Sequence, residues 1–171
     1  LGYAAKLEPE FAARNTKLIG LSVDAVDNHA SWAADIEETQ GSAVKFPMIA
    51  DTDLNVAKLY NMLPADESGS TEERTPANNA TVRTVFIVGP DKKIKLTMTY
   101  PMSAGRNFDE ILRVLDAIQV GEGNGVATPV NWRKGDDVII PPTVSNEAAT
   151  ELFPQGFTTI KPYLRYVKLP A

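Results

Sequence analysis

Apolar positions recur at helical spacing over residues 1–15. Leu1, Ala4, Ala5, Leu7, Phe11 and Ala12 form one stripe, and Glu8, Glu10 and Arg14 lie outside it. Pro9 falls inside that pattern and removes a backbone donor, so a kink is expected there, with Asn15 closing the helix. Lys17–Val23 (KLIGLSV) is a short apolar run, the pattern of a strand buried on both faces. Asp27 or Asn28 is placed to cap a second helix that turns Trp32, Ala33 and Ile36 inward. Phe46–Ala50 reads as another short strand, and Asp53 opens a helix carrying Leu54, Ala57, Leu59, Tyr60 and Leu63.

Residues 64–80 have no apolar period and read as a polar loop. Thr81–Val88 is a strong strand signal, Gly89–Lys93 a turn, and Ile94–Tyr100 alternates, which completes a hairpin. Asn107 with Glu110 resembles a capping box ahead of a helix bearing Phe108, Ile111, Leu112, Leu115 and Ile118. The order βαβαββα is that of the C-terminal part of a thioredoxin-like sheet. From about Gly121 the texture changes to Gly- and Pro-punctuated short pieces. Val138–Ile140 precedes two prolines, Ser145 can cap a short helix through Phe153, and Tyr163–Val167 reads as a final strand. The expected organisation is therefore a core over residues 1–120 and a small α+β domain or arm over 121–171.

Composition narrows the chemistry. With 17 basic and 22 acidic residues the net charge is −5, and no basic stripe suits nucleic acid. No apolar run approaches a membrane span, and residues 1–171 show no signal peptide. The chain has no cysteine and a single histidine, which excludes disulfides and thiolate zinc sites and makes imidazole-based metal sites improbable. His29 lies three residues before Trp32 on the second helix, where a partly buried, hydrogen-bonded structural histidine is expected. No Gly-x-Ser-x-Gly elbow and no glycine-rich phosphate loop is present.

Arg83 stands out in a strand otherwise made of Val, Thr, Phe and Ile. Its guanidinium stays charged, and burying it unpaired is costly. It must therefore face solvent, pair with an acid, or serve a site that uses its charge.

The stretches SVDAVDNHASWAADI, FPMIAD, TVRTVFIVGPDKKIKL, YPMSAGRNFDEILRVL and VATPVNWRKGDDVIIPP resemble the one-cysteine peroxiredoxins, in the peroxiredoxin-six subfamily, along nearly the whole chain. The segment GRNFDEILRVL followed by ATPVNW and KGD is the most specific part. The resemblance implies a thioredoxin-like α/β core with a small C-terminal α+β domain that supports a homodimer. It implies a thiol peroxidase that reduces hydrogen peroxide and organic hydroperoxides through a cysteine sulfenic acid. An external thiol such as glutathione or thioredoxin serves as reductant, without a bound cofactor. A cytoplasmic location is the expectation.

Carried over position by position, Arg83 matches the family's active-site arginine, which holds the cysteine as thiolate and hydrogen-bonds the peroxide. Arg106 matches a second arginine that pairs with a glutamate just after that cysteine. Both the cysteine and the glutamate would fall upstream of Leu1, so the chain is expected to be truncated after the cysteine motif and inactive by itself. Two other readings stand beside this one: a non-enzymatic oligomerisation or interaction module, and a phospholipase-type lipid esterase in which Asp91 would match the family's aspartate. In the esterase reading the serine and histidine would again lie upstream.

Overall fold

The structure is a computed structural model that describes residues 1–63 and 82–170. The polar loop expected over 64–80 and the first residue of the strand expected from Thr81 lie outside the described residues. The described chain divides into two compact units, Leu1–Phe108 and Asp109–Ala171. The change of sequence texture sits further along, near Gly121.

The first unit opens with two short helices, α1 (Gly2–Lys6) and α2 (Glu8–Ala13). One helix was expected over this stretch. Leu7 serves as C-cap of α1 and N-cap of α2, and Pro9 sits in the first turn of α2, where its missing N–H costs nothing. Asn15 ends the helical stretch at φ 50°, a left-handed conformation that asparagine tolerates.

Strand β1 (Gly20–Ser22) pairs in parallel with β2 (Met48–Ala50), with Leu21 opposite Ile49. The strand expected to be buried on both faces is only partly covered, and Ile19 before it is 67% exposed. The reason is that β1 has one ladder partner among the described residues.

Helix α3 (Val26–Gln40) begins at Ala25, whose extended backbone fills the cap position without a side-chain bond. Asp27 lies in the first turn instead of capping, where its charge still favours the helix N-terminus. The inward residues are His29 and Ile36. Trp32, expected to face inward, is substantially exposed.

Helix α4 (Asn55–Leu59) is capped from outside by Asp51, not started by Asp53. The buried Asp51 carboxylate accepts from Val56 N at 3.0 Å and Ala57 N at 2.6 Å. Leu54 and Ala57 are buried as the pattern implies, whereas Leu59 and Tyr60 face outward.

Strands β3 (Arg83–Val88) and β4 (Ile94–Tyr100) form the expected antiparallel hairpin. Its register shifts by one residue at Ile87/Val88. Side chains alternate across the hairpin. Phe86, with Val82 just before the strand, packs on a cluster of Val23, Leu54, Ala57 and Met62 that Leu21 also joins. A second cluster gathers Ala4, Ala5 and Phe46, with Leu1, Leu18, Met48 and Phe108 against it. Thus β1 and β3 share one apolar cluster, yet no ladder joins them among the described residues.

In the second unit, α5 (Phe108–Asn124, of which Phe108 belongs to the first unit) buries Ile111 and Leu115. Strand β5 (Val138–Ile140), helix α6 (Asn146–Leu152) and the hairpin β6 (Thr158–Lys161) and β7 (Leu164–Val167) follow, with strand order β5-β7-β6. Ser145 caps α6 by accepting from Ala148 N at 3.1 Å, as its position suggested. Strand β6 is fully exposed along its length, so it carries no apolar alternation to announce it. The core gathers Val126, Trp132, Val138, Ile140, Ala149, Phe153 and Val167. Arg165 is buried as well. It donates to Asn146 Oδ1 at 2.9 Å and to the carbonyls of Pro141 and Val144, so its charge is spread over neutral acceptors.

Candidate active site

Two cationic side chains, Arg83 and Arg106, come together in the first unit. Arg83 begins β3 and is exposed, on the face opposite Phe86. Arg106 lies in the turn before α5 and is half-buried. Leu1 packs its side chain on the Ala4–Ala5–Phe46 cluster. Its backbone nitrogen lies within electrostatic range of Arg106 and Arg83. Arg106 is itself pushed down from the usual guanidinium value, first by burial and next by Arg83, with Tyr100 acting in the opposite sense. An arginine so shifted remains charged at any physiological pH.

Among the described residues neither Arg83 nor Arg106 is paired with a carboxylate. Like charges held together without a counter-charge raise the local potential and invite an anion. A thiolate, a peroxide oxygen gaining charge or a carboxylate would each be stabilised there. A nearby cation also lowers the pKa of a thiol.

Arg83 is exposed in this chain. Its charge nevertheless bears on Leu1 and Arg106, so the two arginines named from the sequence do come together. One neighbour of the pair was missed, Tyr100. Tyr100 lies directly opposite Arg83 in the ladder, and its hydroxyl donates to Met98 Sδ at 3.5 Å. In sequence it is one more aromatic in an alternating strand, and only the register gives it a role.

His29 is buried as expected, but its Nε2 has no partner among the described residues, so it is not the hydrogen-bonded histidine foreseen. Asp91 is a turn residue. Its carboxylate accepts from Lys93 N at 3.2 Å and Lys95 Nζ at 3.0 Å, and the Lys95 hydrogen bond lowers its pKa. Among the described residues no group of three metal-ligating side chains exists, and no helix is long and apolar enough to cross a membrane.

Residues 1–97 match the AhpC/TSA family, and residues 117–156 match the C-terminal domain of 1-Cys peroxiredoxin. The chain belongs to the 1-Cys peroxiredoxins. It is similar to the 1-Cys peroxiredoxin of Dictyostelium discoideum, 48% identical over 99% of this chain and 67% of that protein. It is 49% identical to Peroxiredoxin-6 of Rattus norvegicus, over 99% of this chain and 78% of that protein. The solved yeast mitochondrial 1-Cys peroxiredoxin, studied for resolution of its thiol through glutathione/thioredoxin systems, superposes with a TM-score of 0.89. The two are 50% identical over 98% of this chain and 78% of that one.

The fold is therefore the thioredoxin-like peroxiredoxin fold with a small C-terminal sheet region, and the family is one of thiol peroxidases. Peroxiredoxins carry out their chemistry on a cysteine without a prosthetic group. The 171 residues contain no cysteine, so the nucleophile is not among them.

Proposed function

We propose that these residues form the larger part of a thiol peroxidase in which Arg83 and Arg106 are the anion-stabilising half of the active site. The nucleophilic cysteine would be contributed by residues preceding Leu1. The observation that carries this reading is the pair Arg83 and Arg106, cationic, close to the Leu1 backbone and without a carboxylate among the described residues. A cysteine arriving just before Leu1 enters that field and is held as thiolate. The edges of β1 and β3 left unpaired among the described residues, on either side of a shared apolar cluster, support a strand between them that the described residues do not supply.

In the mechanism, the thiolate sulfur attacks one peroxide oxygen, forming an S–O bond as the O–O bond breaks. The departing oxygen carries the electron pair away as hydroxide or alkoxide and takes up a proton. Guanidinium donors at Arg83 stabilise the charge as it develops on that oxygen. Cysteine is oxidised to sulfenic acid and the peroxide is reduced to water or an alcohol. One molecule of an external thiol, glutathione or thioredoxin, condenses with the sulfenic acid to a mixed disulfide with loss of water. A second thiol releases the cysteine. In the same reading Arg106 pairs with a carboxylate brought in by the preceding segment.

The C-terminal domain over 121–171 is assigned to a homodimer interface of ordinary size, roughly 1,600 Å² in total. Of its apolar residues, Trp132, Val138 and Phe153 belong to the unit's own core. Val130, Ile160 and Tyr163 remain exposed and are the ones available to a partner. A cytoplasmic location is part of the same proposal, although a mitochondrial form occurs among the relatives, in Saccharomyces cerevisiae.

A second reading, a non-enzymatic interaction module, draws on the absence of cysteine from residues 1–171. Hydrogen peroxide consumption with glutathione or thioredoxin decides between them. The 171-residue polypeptide is expected to show none, and the same protein carrying a cysteine segment before Leu1 is expected to turn over. Absence of turnover in the cysteine-bearing protein would refute the peroxidase reading.

A further inference from the structure

The β3–β4 hairpin carries one extra residue. Val88 pairs with Ile94, but Ile87 pairs with Leu96, so Lys95 is the inserted position. A bulge of this kind bends a strand and re-aims the side chains beyond it. A hairpin closed by Val88–Ile94 with no insertion would set Thr99 opposite Arg83. With the insertion, Tyr100 takes that place and Thr99 faces Thr84 on the other side, hydroxyl to hydroxyl at 3.4 Å. A one-residue change of register moves every side chain beyond it to the opposite face.

The insertion is itself held in place. Lys95 Nζ donates to Asp91 at 3.0 Å, and Gly89 leaves room for the lysine stem, since a Cβ there would lie 2.4 Å from Lys95 Cε.

We propose that Tyr100 is a positioning residue for the arginine pair, set opposite Arg83 by the bulge at Lys95. The phenolic hydrogen is committed to the Met98 sulfur at 3.5 Å. That leaves the oxygen lone pairs as acceptors for guanidinium N–H groups, which have only donors to offer. Tyr100 also lies within electrostatic range of Arg106, so the residue stands near both cations. The inference rests on reading the arginine pair as an anion site. It adds that the site's geometry depends on a side chain that touches neither nucleophile nor peroxide.

The test uses the 171-residue chain labelled with ¹⁵N at arginine. The Nε–Hε signals of Arg83 and Arg106 are followed by NMR while sulfate is added as a tetrahedral anion probe. Tyr100→Phe keeps the ring and removes the acceptor. It is expected to shift both guanidinium signals in the free protein and to weaken sulfate binding about tenfold, the lower end of what one hydrogen bond to a charged group contributes. Tyr100→Leu removes the ring as well and is expected to weaken it further. Circular dichroism on the same samples confirms that the variants fold.

Unchanged guanidinium signals and sulfate affinity in Tyr100→Phe would overturn the proposal. Loss confined to Tyr100→Leu would overturn it too, because packing alone would then suffice. A wild-type chain that ignores sulfate would count against the anion-site reading itself. The free-protein signals, compared between wild type and Tyr100→Phe, would still decide the role of Tyr100.

Discussion

Arg83 and Tyr100 face each other across the end of the β3–β4 hairpin farthest from its turn. On this relationship the candidate site is built. A charged residue opens a strand of apolar neighbours, a tyrosine stands opposite, and Arg106 and the Leu1 backbone lie within electrostatic reach.

Asp51 anchors helix α4 through two backbone N–H groups, at 3.0 and 2.6 Å, and is buried. Asp51→Ala leaves both donors without their acceptor, so a loss of about 1–3 kcal/mol in unfolding free energy is expected. Chemical denaturation of the two proteins measures it. A difference below about 0.5 kcal/mol would mean that water replaces the carboxylate without cost.

Trp132 fills the core of the second unit and is 3% exposed. Its indole N–H donates to the carbonyl of Asp136 at 3.1 Å, and its own carbonyl accepts from Arg113 at 3.1 Å. Trp132→Ala is expected to cost about 3–5 kcal/mol through lost burial and the cavity left behind. Arg113→Ala keeps the ring and should cost less. A thermal scan ranking Arg113→Ala as the more damaging change would refute this ordering.

Glu110 and Arg113 form a two-bond ion pair on α5, at 2.6 and 2.7 Å. The hydrogen bond from Arg113 holds the Glu110 carboxyl below its ordinary range. A carboxylate with a depressed folded pKa stabilises the fold above its unfolded value, near 4.3, and loses that contribution as pH falls through the folded value. Wild type should therefore exceed Glu110→Gln in stability at pH 7, and the gap should close below about pH 4. Both side chains are partly exposed, so the gap should stay under about 1 kcal/mol and shrink in salt. A gap that widens on acidification would contradict the assignment.

Much of this fold was legible in the chain because its strongest signals are local. The alternation of Ile94–Tyr100, the turn at Gly89–Lys93, the Ser145 cap and the long period of α5 all stand where the pattern put them. What escaped depends on tertiary context. Trp32 reads as a core residue by type but lies outward on α3. Asp51, not the nearer Asp53, supplies the cap because the chain turns at Leu54, whose φ is 59°. Strand β6 has no apolar face to betray it and exists through its pairing with β7. In the site, Arg83 is conspicuous because arginine is out of place among Val, Phe and Ile. Tyr100 is not, since a single inserted residue decides whether it or Thr99 meets the arginine.

The measurement closest to the central claim is the rate of hydrogen peroxide reduction by the cysteine-bearing protein, by stopped flow, for wild type, Arg83→Leu and Arg106→Leu. Both substitutions keep the fold within reach, because Arg83 is exposed and Arg106 half-buried. Removing a fixed donor from a developing anion costs on the order of a hundredfold or more. Arg83→Leu should therefore slow the reaction by at least about a hundredfold and raise the thiol pKa, with Arg106→Leu weaker in both. An Arg83→Leu protein that reduces peroxide at the wild-type rate, with an unchanged thiol pKa, would contradict the account.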